Sequence, residues 1–286
     1  MTRVLNVKNP DGERRVKVVK SAALNGALII ISLISLFPFY LMLIMSTYTT
    51  EQLFRGINLL PGSGAAQNAG TVFRSDYLLY YLNSIFVAAF AVILTLLVST
   101  MAGYALSKFR FRFRKAIMFI IIGIMVIPTN VSIVAFVIEM KNLGWLNTHL
   151  PLIIPAAANP FGVFWMTSCL EEGVPNEIID SAKLDGCPQI SIFFRIVAPL
   201  AKAALGTLAL LAFIGSWNSF MMPMIILTKP ELYTLPIGIR AFGTLRRVDI
   251  GAQIFGLSVS VTPVLIVFSV FSKNLIKGLT AGALKA

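Results

Sequence analysis

The stretch that decides the fold runs from Tyr77 to Ser107 and reads YLLYYLNSIFVAAFAVILTLLVSTMAGYALS, without one charged residue. About 20 apolar residues in a helix cross the hydrocarbon core of a bilayer, so this stretch is long enough to span a membrane. The whole chain has the same character, because 57% of its 286 residues are hydrophobic and only 13% are charged. Soluble domains average about 25% charged residues. The composition therefore argues against a soluble enzyme or binding module.

Six stretches of 23 residues or more lack Asp, Glu, Lys and Arg. Each is long enough to cross a membrane as a helix with some tilt. The uncharged run Gly56–Phe73 is instead rich in Gly, Asn, Ser and Gln and is typical of a loop. The sequence thus predicts an all-α membrane protein with six transmembrane helices. The six stretches are Ser21–Thr50, Tyr77–Ser107, Ala116–Ile138, Asn142–Leu170, Ala203–Thr228 and Ile250–Ser272.

The distribution of Lys and Arg predicts the orientation of these helices. Six spans place both termini on one side of the membrane. If that side is the cytoplasm, 17 of the 24 basic residues lie inside and 7 lie outside, as the positive-inside rule requires. We therefore expect cytoplasmic termini, a basic tail at residues 1–20 and a transmembrane domain at residues 21–286. The net charge of +12 then reflects topology and contact with lipid, and calls for no nucleic acid.

The sequence lacks the residue patterns that several kinds of chemistry require. We find no carboxylate pair, nucleophile–base pair, metal-ligand spacing or P-loop, and expect no catalysis, cofactor or metal in this chain. Proton-coupled carriers rely on charges inside the membrane, and the six stretches contain none. Cys169 and Cys187 are expected to be free thiols in a reducing compartment, and His149 to be structural. A path for a neutral solute, driven by another protein, remains open.

Three asparagines in or near the spans are candidates for a translocation path: Asn130, Asn159 and Asn218. An amide in hydrocarbon needs a hydrogen-bond partner or water. For any one of the three, a hydrogen bond between helices is the competing interpretation. Their occurrence together, with Trp217 beside Asn218, favours a hydrated interior.

The segment from Glu171 to Lys202 holds five of the twelve acidic residues of the chain. Pro175 is a favourable helix start, and Asp185-Gly186 should end that helix, because glycine readily adopts positive φ. Pro188 then starts a second short helix, which Pro199 should end. The sequence therefore predicts a helix–Gly–helix elbow on the cytoplasmic side.

The elbow suits one of two surroundings. As a docking element, its small residues Ser181 and Ala182 would allow a partner to approach, while Ile179 and Leu184 would fill an apolar groove. As an interfacial helix it would lie on the lipid surface. The acidity of the segment argues against the second alternative, because anionic headgroups would repel it.

The elbow also carries a family resemblance. Its sequence resembles the EAA loop of ATP-binding-cassette importer permeases, although Asp180 replaces Glu, Ser181 replaces Ala and Cys187 replaces the Ala after the glycine. An acid often follows the Trp-Asn pair in that family, where this chain has Ser219. The elbow motif is Asp180-Ser181-Ala182-Lys183-Leu184-Asp185-Gly186-Cys187, followed by Phe193, Ile196 and Pro199. Weaker likenesses to the carbohydrate permeases are Pro38-Phe39-Tyr40, Asn83-Ser84, Leu143–Thr148, Trp217-Asn218 and Lys277–Lys285.

The resemblance implies the six-span permease subunit of a maltodextrin-type sugar importer in the bacterial cytoplasmic membrane. It implies a second, different permease, two ATPase subunits that bind ATP and Mg²⁺, and an extracellular solute-binding protein near loops 48–76 and 229–249. This chain itself would bind no cofactor. A permease for glycerol phosphate or another non-sugar solute, and a secondary carrier, are the alternatives. Within a coupling loop at about residues 171–202, the implied ATPase contacts are Asp180, Ser181, Ala182, Leu184, Asp185 and Gly186.

Overall fold

A computed structural model describes the backbone of residues 10–56, 59–244 and 247–283. Within these ranges it describes the side chains of residues 20, 21, 23–56, 59–128, 131–242 and 248–271. This part of the chain is almost entirely helical, which confirms the all-α class. In chain order the helices are α1 (Pro10–Met45), α2 (Thr50–Arg55), α3 (Ala65–Arg74), α4 (Tyr77–Lys108), α5 (Arg114–Val126), α6 (Ile133–Asn142), α7 (Leu150–Ile153), α8 (Pro160–Gly173), α9 (Asn176–Leu184), α10 (Gln189–Ile192), α11 (Ala198–Leu200), α12 (Lys202–Trp217), α13 (Met221–Ile226), α14 (Leu235–Arg240) and α15 (Ile250–Ala283).

Shorter elements connect these helices. Single 3₁₀ turns precede α6, α8 and α14, and a π-helical turn at Phe193–Val197 joins α10 to α11. The strands β1 (Gly243–Thr244) and β2 (Arg247–Val248) pair antiparallel before α15. Within the described ranges, four helical segments are long and apolar enough to cross a membrane. They are Ala23–Met45, Tyr77–Lys108, Leu150–Gly173 and Ile250–Phe271.

Three of the six predicted spans are interrupted in the structure. The third breaks after α5, because Pro128 has no N–H to continue the helix, and the chain resumes as a 3₁₀ turn and α6. The fourth breaks between the 3₁₀ turn that ends at Ala157 and α8, which begins at Pro160. The fifth breaks after α12, and α13 begins only at Met221. The helix Gln189–Leu200 and α12 meet at 81° and count as a fifth span only if taken together. The structure therefore gives four or five apolar spans as continuous or bent helices.

The chain departs from prediction at one further place. The run Gly56–Phe73 was expected to be a loop, but its residues from Ala65 onward form α3. This helix depends on tertiary contacts: Asn68 is 1% exposed, and its Nδ2 donates to the carbonyls of Ser46 and Tyr48 at 2.8 Å. The helix α1 begins at Pro10, within the predicted basic tail at residues 1–20.

The helix α4 lies at the centre of the fold and packs against α8 and α12. Small residues recur on it at every fourth position and are buried, a spacing that brings helices into close contact in membranes. At Gly103 an added Cβ would lie 2.8 Å from the Cβ of Met166 and 2.9 Å from the nitrogen of Thr167. The glycine therefore sets the distance between α4 and α8. The small residues are Ala91, Thr95, Ser99, Gly103 and Ser107.

Two apolar clusters form at opposite ends of α4. The first contains side chains from α4, α8, α9, α10 and α12, including Tyr104, Met166 and Ile179. The second contains side chains from α3, α4, α12, α14 and α15, including Tyr77 and Trp217. We call the two ends of the molecule the α9 end and the far end. The helix α4 runs from the far end to the α9 end. The helix α8 points in the same direction, because the final parts of both helices lie in the cluster at the α9 end.

We expect Gly103→Ala to lower the free energy of unfolding by about 1–3 kcal/mol, because the new methyl group meets the backbone of α8. Gly123→Ala is the matched control, since nothing lies within 4 Å of a Cβ at Gly123 in α5 and alanine favours helix. Thermal unfolding of the two purified variants in detergent measures the difference. Equal midpoints for the two variants would contradict the close packing of α4 and α8.

Candidate coupling surface and cavity

The elbow begins with α9, which ends in a Schellman motif. Gly186 has φ +76°, its N–H donates to the carbonyl of Lys183, and the N–H of Cys187 donates to the carbonyl of Ala182, both at 3.0 Å. This bonding pattern pairs the last carbonyls of a helix and requires a left-handed residue, which favours glycine. The predicted turn at Asp185-Gly186 is confirmed.

The second arm of the elbow is longer than predicted. Helical structure continues from Gln189 through the π-helical turn to Leu200. The arm therefore ends one residue after Pro199, where its end was expected. The arm ends at Ala201, where the chain turns by 81° into α12.

The faces of α9 separate the predicted coupling residues into two groups. Ala182 is 7% exposed and Ile179 is 2% exposed, and both belong to the apolar cluster at the α9 end. The expectation that these two side chains contact a partner is therefore corrected, because they pack the elbow against α4, α8 and α12. Leu184, by contrast, is 90% exposed. The exposed members of the predicted set are Asp180, Ser181, Leu184, Asp185 and Gly186.

Polar contacts tie the start of the elbow to α4 and α5. Lys108 Nζ donates to the carbonyl of Val174 at 2.6 Å, and an Arg114 guanidinium nitrogen lies 2.8 Å from Glu171 Oε1. Gln189 Nε2 donates to the hydroxyl of Tyr104 on α4. Sequence reasoning missed these residues, because the basic run after α4 was interpreted only as a signal of topology. The available signal was an acidic pair at the end of one span facing a basic run at the end of another.

The two predicted path residues with described side chains, Asn159 and Asn218, do not line the same cavity. Asn159 lines a cavity and caps α8, because its Oδ1 accepts from the N–H of Gly162 at 2.8 Å. Asn218 ends α12 and is exposed, but is not part of the cavity wall. The side chain of Asn130 lies outside the described residues. The prediction of a polar interior therefore has structural support at Asn159 alone.

The cavity measures about 400 Å³ and lies between α4, α7, α8, α12 and α13. Its wall is mainly apolar with a few hydroxyl and amide groups, and no described residue in the wall is charged. Sequence reasoning found one of its residues and missed the others. The wall consists of Val87, Ala91, Thr95, Pro151, Leu152, Ala156, Asn159, Phe161, Leu208, Leu211, Ala212, Gly215, Ser216, Ser219, Met222, Pro223 and Thr234.

Residues 96–281 match the family model for the inner membrane component of binding-protein-dependent transport systems. These residues contain the C-terminal part of α4, the elbow, most of the cavity wall and most of α15. The chain belongs to this family. It is therefore a multi-pass permease of the ATP-binding-cassette transporters.

Relatives of the permease are similar over nearly their whole length. The arabinooligosaccharides transport system permease protein AraQ of Bacillus subtilis is 34% identical over 268 residues, 92% of this chain and 95% of the relative. The trehalose/maltose transport system permease protein MalG of Thermococcus litoralis is 30% identical over 277 residues, 95% and 99% of the two chains. A chain of a bacterial ABC transporter involved in the import of the acidic polysaccharide alginate has the same fold, with a TM-score of 0.76 and 24% identity. The match covers 95% of this chain and 99% of that chain.

At the far end of the permease, residues 228–235 are held by polar side chains from two other segments. Asn83 Nδ2 on α4 donates to the carbonyls of Glu231 and Tyr233 at 3.0 Å. Asn147, at φ 55°, accepts at Oδ1 from the N–H of Thr228 at 2.7 Å. Asn83 and Asn147 were noted in the sequence only as parts of a resemblance. The structure shows that they position a loop.

The remaining predictions on single residues concern the histidine and the cysteines. His149 Nε2 donates to the carbonyl of Leu232 at 2.8 Å, so its structural role is confirmed. Cys169 and Cys187 are free thiols, as predicted. Among the described residues, no group of His, Cys, Asp or Glu is arranged to hold a metal ion. The side chains of the predicted C-terminal motif, Lys277–Lys285, lie outside the described residues.

We expect Lys108→Met to loosen the elbow, because it leaves the carbonyl of Val174 without its charged donor. Loss of such a bond costs about 1.5 kcal/mol, which corresponds to roughly tenfold faster amide exchange in α9. Hydrogen exchange followed by mass spectrometry of the purified permease measures this change. Lys115→Met, at an exposed neighbouring residue, serves as the control. Identical exchange in the two variants would show that Lys108 does not hold the elbow.

Proposed function

We propose that this chain is a permease subunit of an ATP-driven importer that carries a sugar or oligosaccharide across the bacterial cytoplasmic membrane. The supporting observation is similarity over nearly the full length to permeases named for sugar transport, such as AraQ and MalG. In this proposal a second permease, two ATPase subunits and an extracellular solute-binding protein complete the transporter. The ATPases bind ATP and Mg²⁺, and this chain forms part of the path.

The proposal includes six spans with both termini in the cytoplasm. Tyr104 of α4 belongs to the cluster at the α9 end, while His149 packs beside Phe86, near the start of α4. The chain between Lys108 and His149 must therefore return to the far end, which supports α5 and α6 together as one broken span. The helix α12 also runs between the two ends, because its residues Ala204 and Trp217 belong to clusters at opposite ends, which supports α12 and α13 as the fifth span.

The cytoplasmic placement of the α9 end agrees with its charges. The basic run that follows α4 and the two acids that end α8 lie there, outside the apolar helices. The helix Gln189–Leu200 carries Arg195 and bends away from α12, so we assign it to the cytoplasmic surface and not to a span. In this orientation the loop at residues 228–235 faces outside, where a solute-binding protein docks.

The elbow is the proposed contact with an ATPase subunit. Leu184 presents an almost fully exposed apolar side chain flanked by Lys183 and Asp185, which is unfavourable in water but suits an apolar groove with a polar rim. Ile179 and Ala182 attach the elbow to the cluster that also contains Tyr104 of α4. A displacement of the elbow by the ATPases would therefore move α4, α8 and α12. This connection supplies the coupling between ATP hydrolysis and the solute path.

We expect Leu184→Ser to weaken association with the ATPase about tenfold or more, because burial of a leucine contributes about 1.5–3 kcal/mol. The substitution leaves the fold intact, since the side chain is exposed. Co-purification of the ATPase with the tagged chain and sugar uptake by cells are the measurements. Leu143→Ser, which changes a leucine 51% exposed outside the elbow, is the control. Full ATPase recovery with Leu184→Ser would rule out this docking contact.

The orientation can be tested with a native thiol. Cys187 lies at the elbow and is exposed, so in a Cys169→Ser background a membrane-impermeant maleimide should label it in inside-out vesicles and not in intact cells. Leu59→Cys in a chain lacking both native cysteines should give the opposite pattern, because Leu59 precedes α3 at the far end. Labelling of Cys187 in intact cells would reverse the proposed topology.

A further inference from the structure

We infer that the second arm of the elbow, Gln189–Leu200, lies on the cytoplasmic leaflet of the membrane and binds anionic phospholipid. This inference rests on the orientation in the proposed function and adds to it a lipid site. Two surroundings suited the elbow as a whole, a groove on a partner and the lipid surface. Each of them fits one arm: the partner groove fits α9, and the lipid surface fits the second arm.

The first observation is the distribution of charge along the elbow. All five acids of the segment from Glu171 to Lys202 precede Gly186, and the residues that follow this glycine carry only Arg195 and Lys202 as charged groups. Both of these basic side chains are exposed. Anionic headgroups therefore repel α9 but attract the second arm. The acidity that argues against lipid contact belongs to α9 alone.

The second arm is apolar on two opposite faces. Its outer face presents Ile190, Phe194 and Leu200, each 49% to 56% exposed. The π-helical turn adds a residue to the helical repeat, so that exposed positions recur about five residues apart on this one face. A helix that is apolar all round is buried in protein or lies in lipid. The inner face packs into the cluster at the α9 end through side chains at most 5% exposed, which are Ile192, Phe193 and Val197.

The direction of the arm fits a position in the plane of the membrane. The arm meets α12 at 81°, and α12 runs between the two ends of the molecule. A segment nearly perpendicular to a spanning helix, at the end of that helix, lies along the bilayer surface. There the exposed apolar side chains reach the acyl chains, while the longer Arg195 side chain extends to the headgroups.

The turn between α4 and α5 extends the same surface. Its residues 109–113 alternate phenylalanine with arginine, and all five are exposed. The ring centroid of Tyr104 lies 5.5 Å from that of Phe109 and 5.7 Å from that of Phe193. Phe193 in turn lies 4.9 Å from Phe194 on the outer face of the arm. The arm and the turn therefore combine exposed aromatic rings with positive charge only, which is typical of segments that bind anionic lipid.

The test measures what surrounds a spin label on the arm in the purified transporter. In a chain with Cys169→Ser and Cys187→Ser, a nitroxide is attached at Phe194→Cys, and the transporter is placed in nanodiscs of phosphatidylethanolamine and phosphatidylglycerol. Collisions with oxygen report contact with acyl chains, and collisions with a water-soluble nickel chelate report contact with water. We expect oxygen collisions to exceed nickel collisions about threefold or more, because an interfacial helix lies about 5–10 Å within the headgroup and acyl boundary.

The control label is at Gln67→Cys, an exposed residue of α3 at the far end, and should show the opposite ratio. Two results at Phe194 would overturn the lipid contact. An excess of nickel collisions would place this side chain in water. Few collisions of either kind would place it beneath the ATPase or the second permease.

A second measurement tests the preference for anionic lipid. A fluorophore at Ile190→Cys is quenched by nitroxide-labelled phosphatidylglycerol or phosphatidylcholine at equal mole fraction. We expect phosphatidylglycerol to quench about fivefold more effectively, since one basic residue near the headgroups favours an anionic lipid by about this factor. Arg195→Gln should lower the ratio toward one, whereas Lys141→Gln, at an exposed basic residue of α6, should leave it unchanged. Equal quenching by the two lipids, or an unchanged ratio with Arg195→Gln, would refute the anionic site.

Labelling of Cys187 separates this inference from the proposed function. Labelling from the cytoplasm, together with water around Phe194, keeps the proposed orientation and overturns the lipid site. Labelling from outside overturns both, because the arm would then lie on the other leaflet. A lipid-exposed Phe194 in a transporter that takes up no sugar supports the lipid site and overturns the proposed solute.

Discussion

The contact between α4 and α8 is the constraint on which the rest of the structure depends. Gly103 allows the two helices to approach until no side-chain atom fits between them, and in lipid such close packing takes the place of the hydrophobic effect between helices. The contact aligns two parallel helices from the cavity to the elbow. Asn159, Thr95 and Phe161 lie in the half of this contact nearer the far end and line the cavity. Tyr104 and Met166 pack in the half nearer the α9 end.

The helices α4 and α8 also connect the cavity to the elbow. At the α9 end, Lys108 and Arg114 bond to the last residues of α8 and the segment before α9, while Ile179 packs into the shared cluster. Densely packed interiors transmit displacements, because side chains have no free volume in which to relax. A push on the elbow is therefore carried along α4 and α8 toward the cavity. In the transporter that we propose, this connection would carry a movement of the ATPase subunits to the solute path.

Prediction from sequence was successful where a local rule dominates. The helix turn at Gly186 follows from the backbone freedom of glycine, and the long uncharged runs follow from the cost of charges in lipid. Prediction failed where nonlocal contacts decide. The polar segment at residues 65–74 becomes helical because Asn68 bonds to distant carbonyls.

The sequence by itself determined that the chain is an all-helical membrane protein with an acidic elbow, since hydropathy and glycine positions act locally. Only the tertiary structure decided which face of each helix is used. Ala182 turned inward and Leu184 outward, because α9 packs on one side against the cluster at the α9 end. Thr234 and Asn159 came to line one cavity although they are far apart in the chain. No local pattern encodes such a meeting, because it depends on how α4, α8 and α12 pack together.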